Sequence, residues 1–465
     1  MTFEQLRLKH PRLIYKRYNV TKSDAAITIE HEFLLEPDIP FRASTTIPHT
    51  GEFHEEAFAP YAFHLGLIEA VSYWKTACPR EFVVEAGYLD ATQLRFWYDL
   101  FIHGLGEFFY RNAIDFTAPE FLTIRTTGEA LPPSIPFSPA DIASTDLVLV
   151  GGGKDTAVTL GMLKNSDRTI QTMIVNPTDA ARKSVAIAHF SSPLIVRRVM
   201  DPQLMILNKS GYLNGHTPFS AYLAFLGIAV AFLHRNTSVI VSNERSANEG
   251  NVVYKGMEIN HQYSKSFRFE TLFRRYIADV FPAAANYFSM LRPLNDIQIG
   301  LLFARLPEFF PTIRSCNAGS KKGIWCGKCS KCAFTYLVLS PFIAEADLLR
   351  IFGSDYFHDP DIIQYVRELV GLTPVKPFEC VGTRDEAKLS LLLAISRYKK
   401  ESREIPEGLL TIKSDLGLTE EDTLFLKERV FDAWGDTFNL PPEHMSLLRL
   451  TWERARENYE KTAQP

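Results

Sequence analysis

Three clusters in this 465-residue chain bring together residue types suited to chemistry. The first is Gly151-Gly152-Gly153-Lys154-Asp155-Thr156, directly behind the apolar run Leu147-Val148-Leu149-Val150. Glycines let a backbone approach a phosphate, and the N–H groups that open a helix attract anions. Two common phosphate fingerprints do not fit: Thr156 stands where a dinucleotide turn needs its third glycine, and Lys154 is followed by Asp155 where a Walker A loop has a hydroxyl residue. A plain strand-to-helix turn is the bland alternative. The second cluster is Cys316, Cys326, Cys329 and Cys332, four thiols within seventeen residues. Thiolates at this C-x9-C-x2-C-x2-C spacing can wrap tetrahedrally around zinc, with Gly327 and Lys328 suiting a tight knuckle. An iron–sulfur cluster could use the same ligands, and four unligated thiols is the bland alternative. The third is the loop Ser242 to Asn251, which packs amides, the acids Glu244 and Glu249 and the cation Arg245 into ten residues. Such a loop could grip a polar, carboxylated substrate, or be a solvated, hydrogen-bonded turn. His261, Tyr263 and Lys265 follow it and read as structural or solvent-facing.

The surrounding pattern must position these clusters. Leu147 to Val150 is an unbroken apolar run, as expected of a strand buried on both faces. A helix over Thr156 to Leu163, a strand over Ile170 to Val175, a helix over Ala180 to Phe190 and a strand over Leu194 to Val199 follow. Thr217-Pro218 reads as the start of a helix running to about His234, with Thr217 as its cap. Val239 to Val241 is a fourth strand, which places the loop Ser242 to Asn251 on the rim facing the glycine turn. Strands alternating with helices at this spacing predict an α/β fold with a doubly wound parallel sheet. Before it, residues 1–140 read as an N-terminal α+β module. Strand-like pieces run from Leu13 to Thr46, two aromatic-rich helical stretches cover Phe63 to Thr76 and Ala91 to Tyr110, and a proline-rich linker spans Leu131 to Pro139. After the 141–345 domain, residues 346–465 read as a mostly helical region. Thr419 opens a capping box there, and Pro442 to Tyr459 forms a last helix.

With 46% hydrophobic and 22% charged residues, the composition is that of a globular chain and not of a disordered one. A formal net charge of -4 gives no electrostatic reason to expect a nucleic-acid partner. The N-terminus lacks the apolar core of a signal peptide, and the most apolar stretch, Ala221 to Leu233, is too short to span a bilayer. Four of the six cysteines crowd together instead of spreading as a disulfide framework, which points to a reducing, cytoplasmic compartment. Cys78 and Cys380 read as buried small hydrophobes.

From Gly151 to Thr156 the chain resembles the PP-loop of ATP pyrophosphatases, Ser-Gly-Gly-x-Asp-Ser, with Gly151 in place of the first Ser and Thr156 of the last. The resemblance implies a sheet of the PP-loop ATP pyrophosphatase type and a turn that binds the β- and γ-phosphates of ATP. Gly151, Gly152, Gly153, Lys154 and Thr156 would hold the departing pyrophosphate, and Asp155 would organise Mg²⁺. PP-loop synthases that make 7-cyano-7-deazaguanine carry a similar cysteine set, after a segment resembling Leu291 to Ile297. A structural zinc is implied, since four thiolates leave no open position.

Taken together, Gly151 to Thr156, Ser242 to Asn251, His261-Gln262-Tyr263-Ser264 and Trp325 to Phe334 resemble the MurL family. Its members are ATP-dependent UDP-N-acetylmuramoyl-L-alanyl-L-glutamate epimerases of bacterial cell-wall synthesis. The resemblance covers roughly residues 145 to 345. It implies a small-molecule substrate, the UDP-muramoyl dipeptide, whose terminal L-glutamate is activated as an acyl-adenylate so that its Cα proton can be removed and returned to the other face. Lys154, Asp155, Glu244 and Glu249 are the candidate catalytic residues, and Asn243, Arg245 and Asn248 the candidate substrate contacts. Glu244, Glu249, His261 and Lys265 are the candidates for moving the proton. Two rivals share the motifs: an enzyme modifying a nucleobase or tRNA, and a nucleotide- and zinc-binding module without turnover.

Overall fold

Alternation along a few short strands sets up the architecture. The computed structural model describes residues 1–130, 144–281, 285–319 and 322–463; the linker expected over Leu131 to Pro139 lies outside them. The N-terminal strands are β1 (Arg12–Lys22), β2 (Ala26–Leu35), β3 (Ile39–Pro48), β4 (Glu81–Val84) and β5 (Thr123–Thr126). Behind them come β6 (Thr145–Leu149), β7 (Thr169–Val175), β8 (Leu194–Val199) and β9 (Ser238–Val241). A small hairpin, β10 (Val252–Tyr254) and β11 (Met257–Ile259), and a last strand, β12 (Asn286–Ser289), complete the set.

Ten strands form one sheet in the order β12-β9-β6-β7-β8-β3-β2-β1-β4-β5. From β12 to β8 every pairing is parallel. Side chains of a strand alternate between faces, and here both faces are covered. Leu147, Leu149, Val239 and Tyr287 join one core with the helices Glu55–Trp74, Phe219–His234 and Phe267–Val280. Val148, Val150, Ile240 and Phe288 join the other with the helices Lys154–Leu163, Asp296–Ala304, Ser330–Leu339 and Arg384–Lys400. Helices on both faces of parallel strands ordered 5-4-1-2-3 make this half doubly wound, with its topological switch between β6 and β9.

The sheet as a whole is mixed, which differs from a purely parallel one. Ser44 to Thr46 of β3 pair antiparallel with Arg197 to Val199 of β8. The long antiparallel meander β1–β2–β3 thereby continues the parallel sheet and covers what would be an open strand edge. The helix Glu55–Trp74 is buried almost all round because it lies on that meander and also packs on Phe219–His234. Other local expectations need correction. The helix expected from Thr217 starts at Phe219 with Pro218 at its cap position, and the Thr217 side chain does not cap it. β12 and the hairpin β10–β11 carry no signal strong enough to stand out in the sequence, since each spans only three or four residues. The capping box at Thr419 and the helix Pro442–Ala463 are present as expected. Among the described residues, no helix is long and apolar enough to cross a membrane.

Candidate functional site

A cavity of about 390 Å³ opens at the carboxyl ends of β6, β7 and β9, where a doubly wound sheet binds its ligands. The glycine turn forms one wall through Gly151, Gly153, Asp155 and Thr156, and Ser242 and Asn243 form the facing one. Gly152 has φ +83°, and a Cβ there would come within 2.6 Å of the Ala181 backbone nitrogen. Only glycine takes that conformation beside a backbone so near. Gly153 caps the helix Lys154–Leu163 in an extended conformation with no side-chain acceptor on the first turn, so that turn faces the cavity ready for an anion. The Gly151 N–H donates to Thr156 Oγ1 at 3.4 Å, and the Arg314 N–H donates to the Gly152 carbonyl at 3.0 Å.

Lys154 does not line this cavity. Its ammonium is buried behind the turn, where it donates to both Asp155 and Asp296. Burial opposes its charge, but Asp155, Asp296 and Glu244 outweigh that and raise its pKa. In return Asp155, also penalised by burial, is held below the usual carboxylate range by Lys154, Lys331 and Lys265. Glu244, 3% exposed, is pushed up to about 7 by burial and by Asp296.

The loop after β9 is mostly a structural hub. The Arg245 N–H donates to the Leu294 carbonyl at 2.8 Å. Asn248 Oδ1 accepts from the Phe267 N–H at 2.7 Å, at the start of the helix Phe267–Val280. Glu249 Oε1 accepts from Lys376 Nζ at 3.0 Å and from the Arg384 N–H at 3.2 Å. Of the loop's candidates, only Asn243 reaches the cavity among the described residues. Asn251 has the more specific job. Its Oδ1 accepts from the His261 N–H at 2.8 Å, and its Nδ2 donates to the Pro377 carbonyl at 2.8 Å. It thus ties the segment carrying His261 to the one carrying Cys380.

That second segment supplies residues that the sequence reading missed. Glu379 and Cys380 line the cavity together with Lys265 and Lys331. Lys265 Nζ lies 3.3 Å from Cys380 Sγ, and the Lys331 ammonium donates to the Cys380 carbonyl. His261 is among the groups that stabilise the charged thiol, and its Nδ1 hydrogen-bonds Glu107 Oε2 at 2.5 Å. Burial would raise the Cys380 thiol, but Lys265, His261 and Lys331 bring it down to about 5. Burial likewise disfavours charged His261, yet Cys380 and Glu107 raise it to about 9. Cys380 is therefore no inert small hydrophobe, whereas fully buried Cys78, its thiol driven up by burial, is one. Lys331 could have been suspected from its place inside the cysteine knuckle. Cys380 stands alone in the sequence, and nothing local marks it.

The four clustered thiols lie behind this wall. Their sulfurs all fall within 4.8 Å of one another, with Cys316 to Cys329 at 3.8 Å and Cys326 to Cys332 at 3.7 Å. Tetrahedral thiolates about 2.3 Å from a zinc ion stand about 3.8 Å apart, so this cluster could hold a metal ion. Gly327, at φ +68°, forms the knuckle. The helix Ser330–Leu339 that begins here carries Lys331 toward the cavity.

Comparison with known proteins adds sequence relationships. A family model described as the MurL N-terminal domain matches residues 5–290, and one described as the MurL C-terminal domain matches residues 312–422. The chain is 36% identical over 335 residues to a UDP-N-acetyl-alpha-D-muramoyl-L-alanyl-L-glutamate epimerase of a Micromonospora species, covering 71% of this chain and 73% of that one. It is 36% identical over 336 residues to a protein of the same name from Salinispora tropica, covering 71% and 72%. With one from Xanthomonas oryzae pv. oryzae it shares 30% identity over 408 residues, 85% of each chain.

Proposed function

The chain belongs to the MurL family, and from that membership we propose that it inverts the terminal L-glutamate of UDP-N-acetylmuramoyl-L-alanyl-L-glutamate to D-glutamate for peptidoglycan synthesis. The observation that carries the proposal is the relatives' shared activity together with one cavity that joins an anion-ready glycine turn to proton-transfer groups.

ATP is a substrate of this reaction, split to AMP and pyrophosphate. Gly151, Gly152, Gly153 and the first-turn N–H groups of Lys154, Asp155 and Thr156 are suited to hold the pyrophosphate end. Asp155 faces the same cavity and suits Mg²⁺, which would neutralise phosphate charge. Lys154 orders Asp155 from behind. Activation removes the negative charge of the glutamate α-carboxylate, which otherwise leaves its Cα–H very weakly acidic. Asn243, Lys265 and Lys331 are placed to meet the polar and anionic groups of the substrate. Glu244, Arg245, Asn248 and Glu249 shape the wall, and the four cysteines hold a structural zinc.

Incubation with the UDP-muramoyl dipeptide, ATP and Mg²⁺ tests this reading. Chiral analysis after acid hydrolysis should recover D-glutamate, and chromatography should find AMP and pyrophosphate. ADP and phosphate would overturn the assignment of the glycine turn. Unchanged L-glutamate after ATP has been consumed would overturn the epimerase reading.

A further inference from the structure

Inversion at Cα needs a base inside the cavity. Of the acids that the sequence offered, Glu244 does not line it and Glu249 is bound to Lys376 and the Arg384 backbone. Lys265 does line it, but Cys380, Glu244 and Asp155 hold it as the ammonium against the effect of burial. Cys380 is different. It opens onto the same cavity as the glycine turn, with Lys265 Nζ 3.3 Å from its sulfur, and the His261 that stabilises its charge is itself hydrogen-bonded to Glu107. An imidazole paired with a carboxylate and placed to stabilise a thiolate is the means by which cysteine is activated in unrelated enzymes. The His216 ring lies tilted against that of His261 with centroids 4.3 Å apart, and burial together with the charge on His261 lowers it to about 3, so it stays neutral. The positive charge of the pair thus settles on His261.

On the epimerase reading given above, we propose that the Cys380 thiolate takes the Cα proton of the activated glutamyl residue, and that His261 and Glu107 hold it in that state. The Cα–H bond breaks and an S–H bond forms. The electron pair left on Cα moves toward the activated carbonyl, whose oxygen takes up the negative charge. Water then supplies a proton to the opposite face, the hydroxide it leaves takes up the thiol proton, and hydrolysis of the acyl-adenylate releases AMP and the inverted glutamyl residue. Cys380 is a catalytic residue in this scheme. His261, Glu107 and the Asn251 clamp are positioning residues.

The test uses the full-length protein in heavy water with the UDP-muramoyl dipeptide, ATP and Mg²⁺. Deuterium at the glutamate Cα and AMP are both measured, and the readout is exchange per AMP formed. Cys380→Ser should lower that ratio by about 100-fold or more, since a positioned base supplies 10²–10⁴ in rate. A merely structural defect would lower exchange and AMP together. A second measurement is independent of turnover. Alkylation of Cys380 by iodoacetamide, followed by peptide mass spectrometry, should already be at its plateau by pH 7 in the wild type. His261→Asn should move the midpoint toward that of an ordinary thiol, about 8.5. An exchange-to-AMP ratio within threefold of wild type in Cys380→Ser, or wild-type alkylation that rises only above pH 8, overturns the assignment of Cys380. Failure of the wild type to form D-glutamate brings down the epimerase reading and this inference with it, and is distinguishable because no variant is needed to see it.

Discussion

Replacing Lys154 by methionine keeps the apolar stem and removes the ammonium shared by Asp155 and Asp296. The Asp296 side chain is 3% exposed and that of Asp155 25%, so the charge stranded by the change rests mainly on Asp296. Removing one partner of a buried ion pair costs about 3–5 kcal/mol. The partial exposure of Asp155 puts the expected loss at the lower end, about 3 kcal/mol. Adding Asp296→Asn to the same chain neutralises the stranded charge and should restore about half of the loss, a clear departure from additivity. Urea unfolding of the wild type, the two single variants and the double variant measures both quantities, and repeating it with ATP and Mg²⁺ separates two roles for the lysine. If Lys154 projected into the cavity as a phosphate ligand, its replacement would alter stability by less than about 1 kcal/mol without nucleotide and would abolish the stabilisation by ATP. That pattern, or additive single and double variants, would refute the buried-anchor reasoning.

Gly152→Ala forces a side chain into a left-handed conformation and against the Ala180–Ala181 backbone. It should destabilise the protein by about 2–4 kcal/mol in thermal or urea unfolding, and a loss below about 0.5 kcal/mol would contradict the geometry of the turn. A carboxyl raised from 4.5 to about 7 on folding holds its proton more tightly in the folded state, so Glu244 makes stability fall as pH rises through that window. The slope is at most about 1.4 kcal/mol per pH unit. Glu244→Gln should flatten it, and equal slopes for variant and wild type between pH 5 and pH 7 would sink the argument. Cys329→Ser should lose the bound metal and lower the melting temperature more than it changes any chemical step; elemental analysis should find about one zinc per wild-type chain, and finding neither zinc nor iron would rule the metal out.

Much of this protein is decided by short stretches of chain. The apolar run Leu147 to Val150 followed by three glycines marks a buried strand and an anion-ready turn, because an unbroken apolar run can be accommodated only between two covered faces and glycine alone takes the positive φ of Gly152 freely. Cys326, Cys329 and Cys332 come together because only two residues separate each from the next, so one tight knuckle gathers them. Thr383 and Thr419 mark their helix starts for the same local reason. Other features needed the folded chain. The antiparallel join of β3 to β8 pairs segments about 150 residues apart, and hydrogen bonds along a strand edge leave no trace in the pattern of either partner. Lys154 looks in sequence like a phosphate ligand, but Asp296, 142 residues away, draws its ammonium behind the turn. Cys380 resembles any isolated small apolar residue until Asn251 brings its segment against His261, and Glu107 and Lys265 close around the pair. The charge of a thiol is set by the field of its neighbours in space, and only the tertiary structure chooses those neighbours.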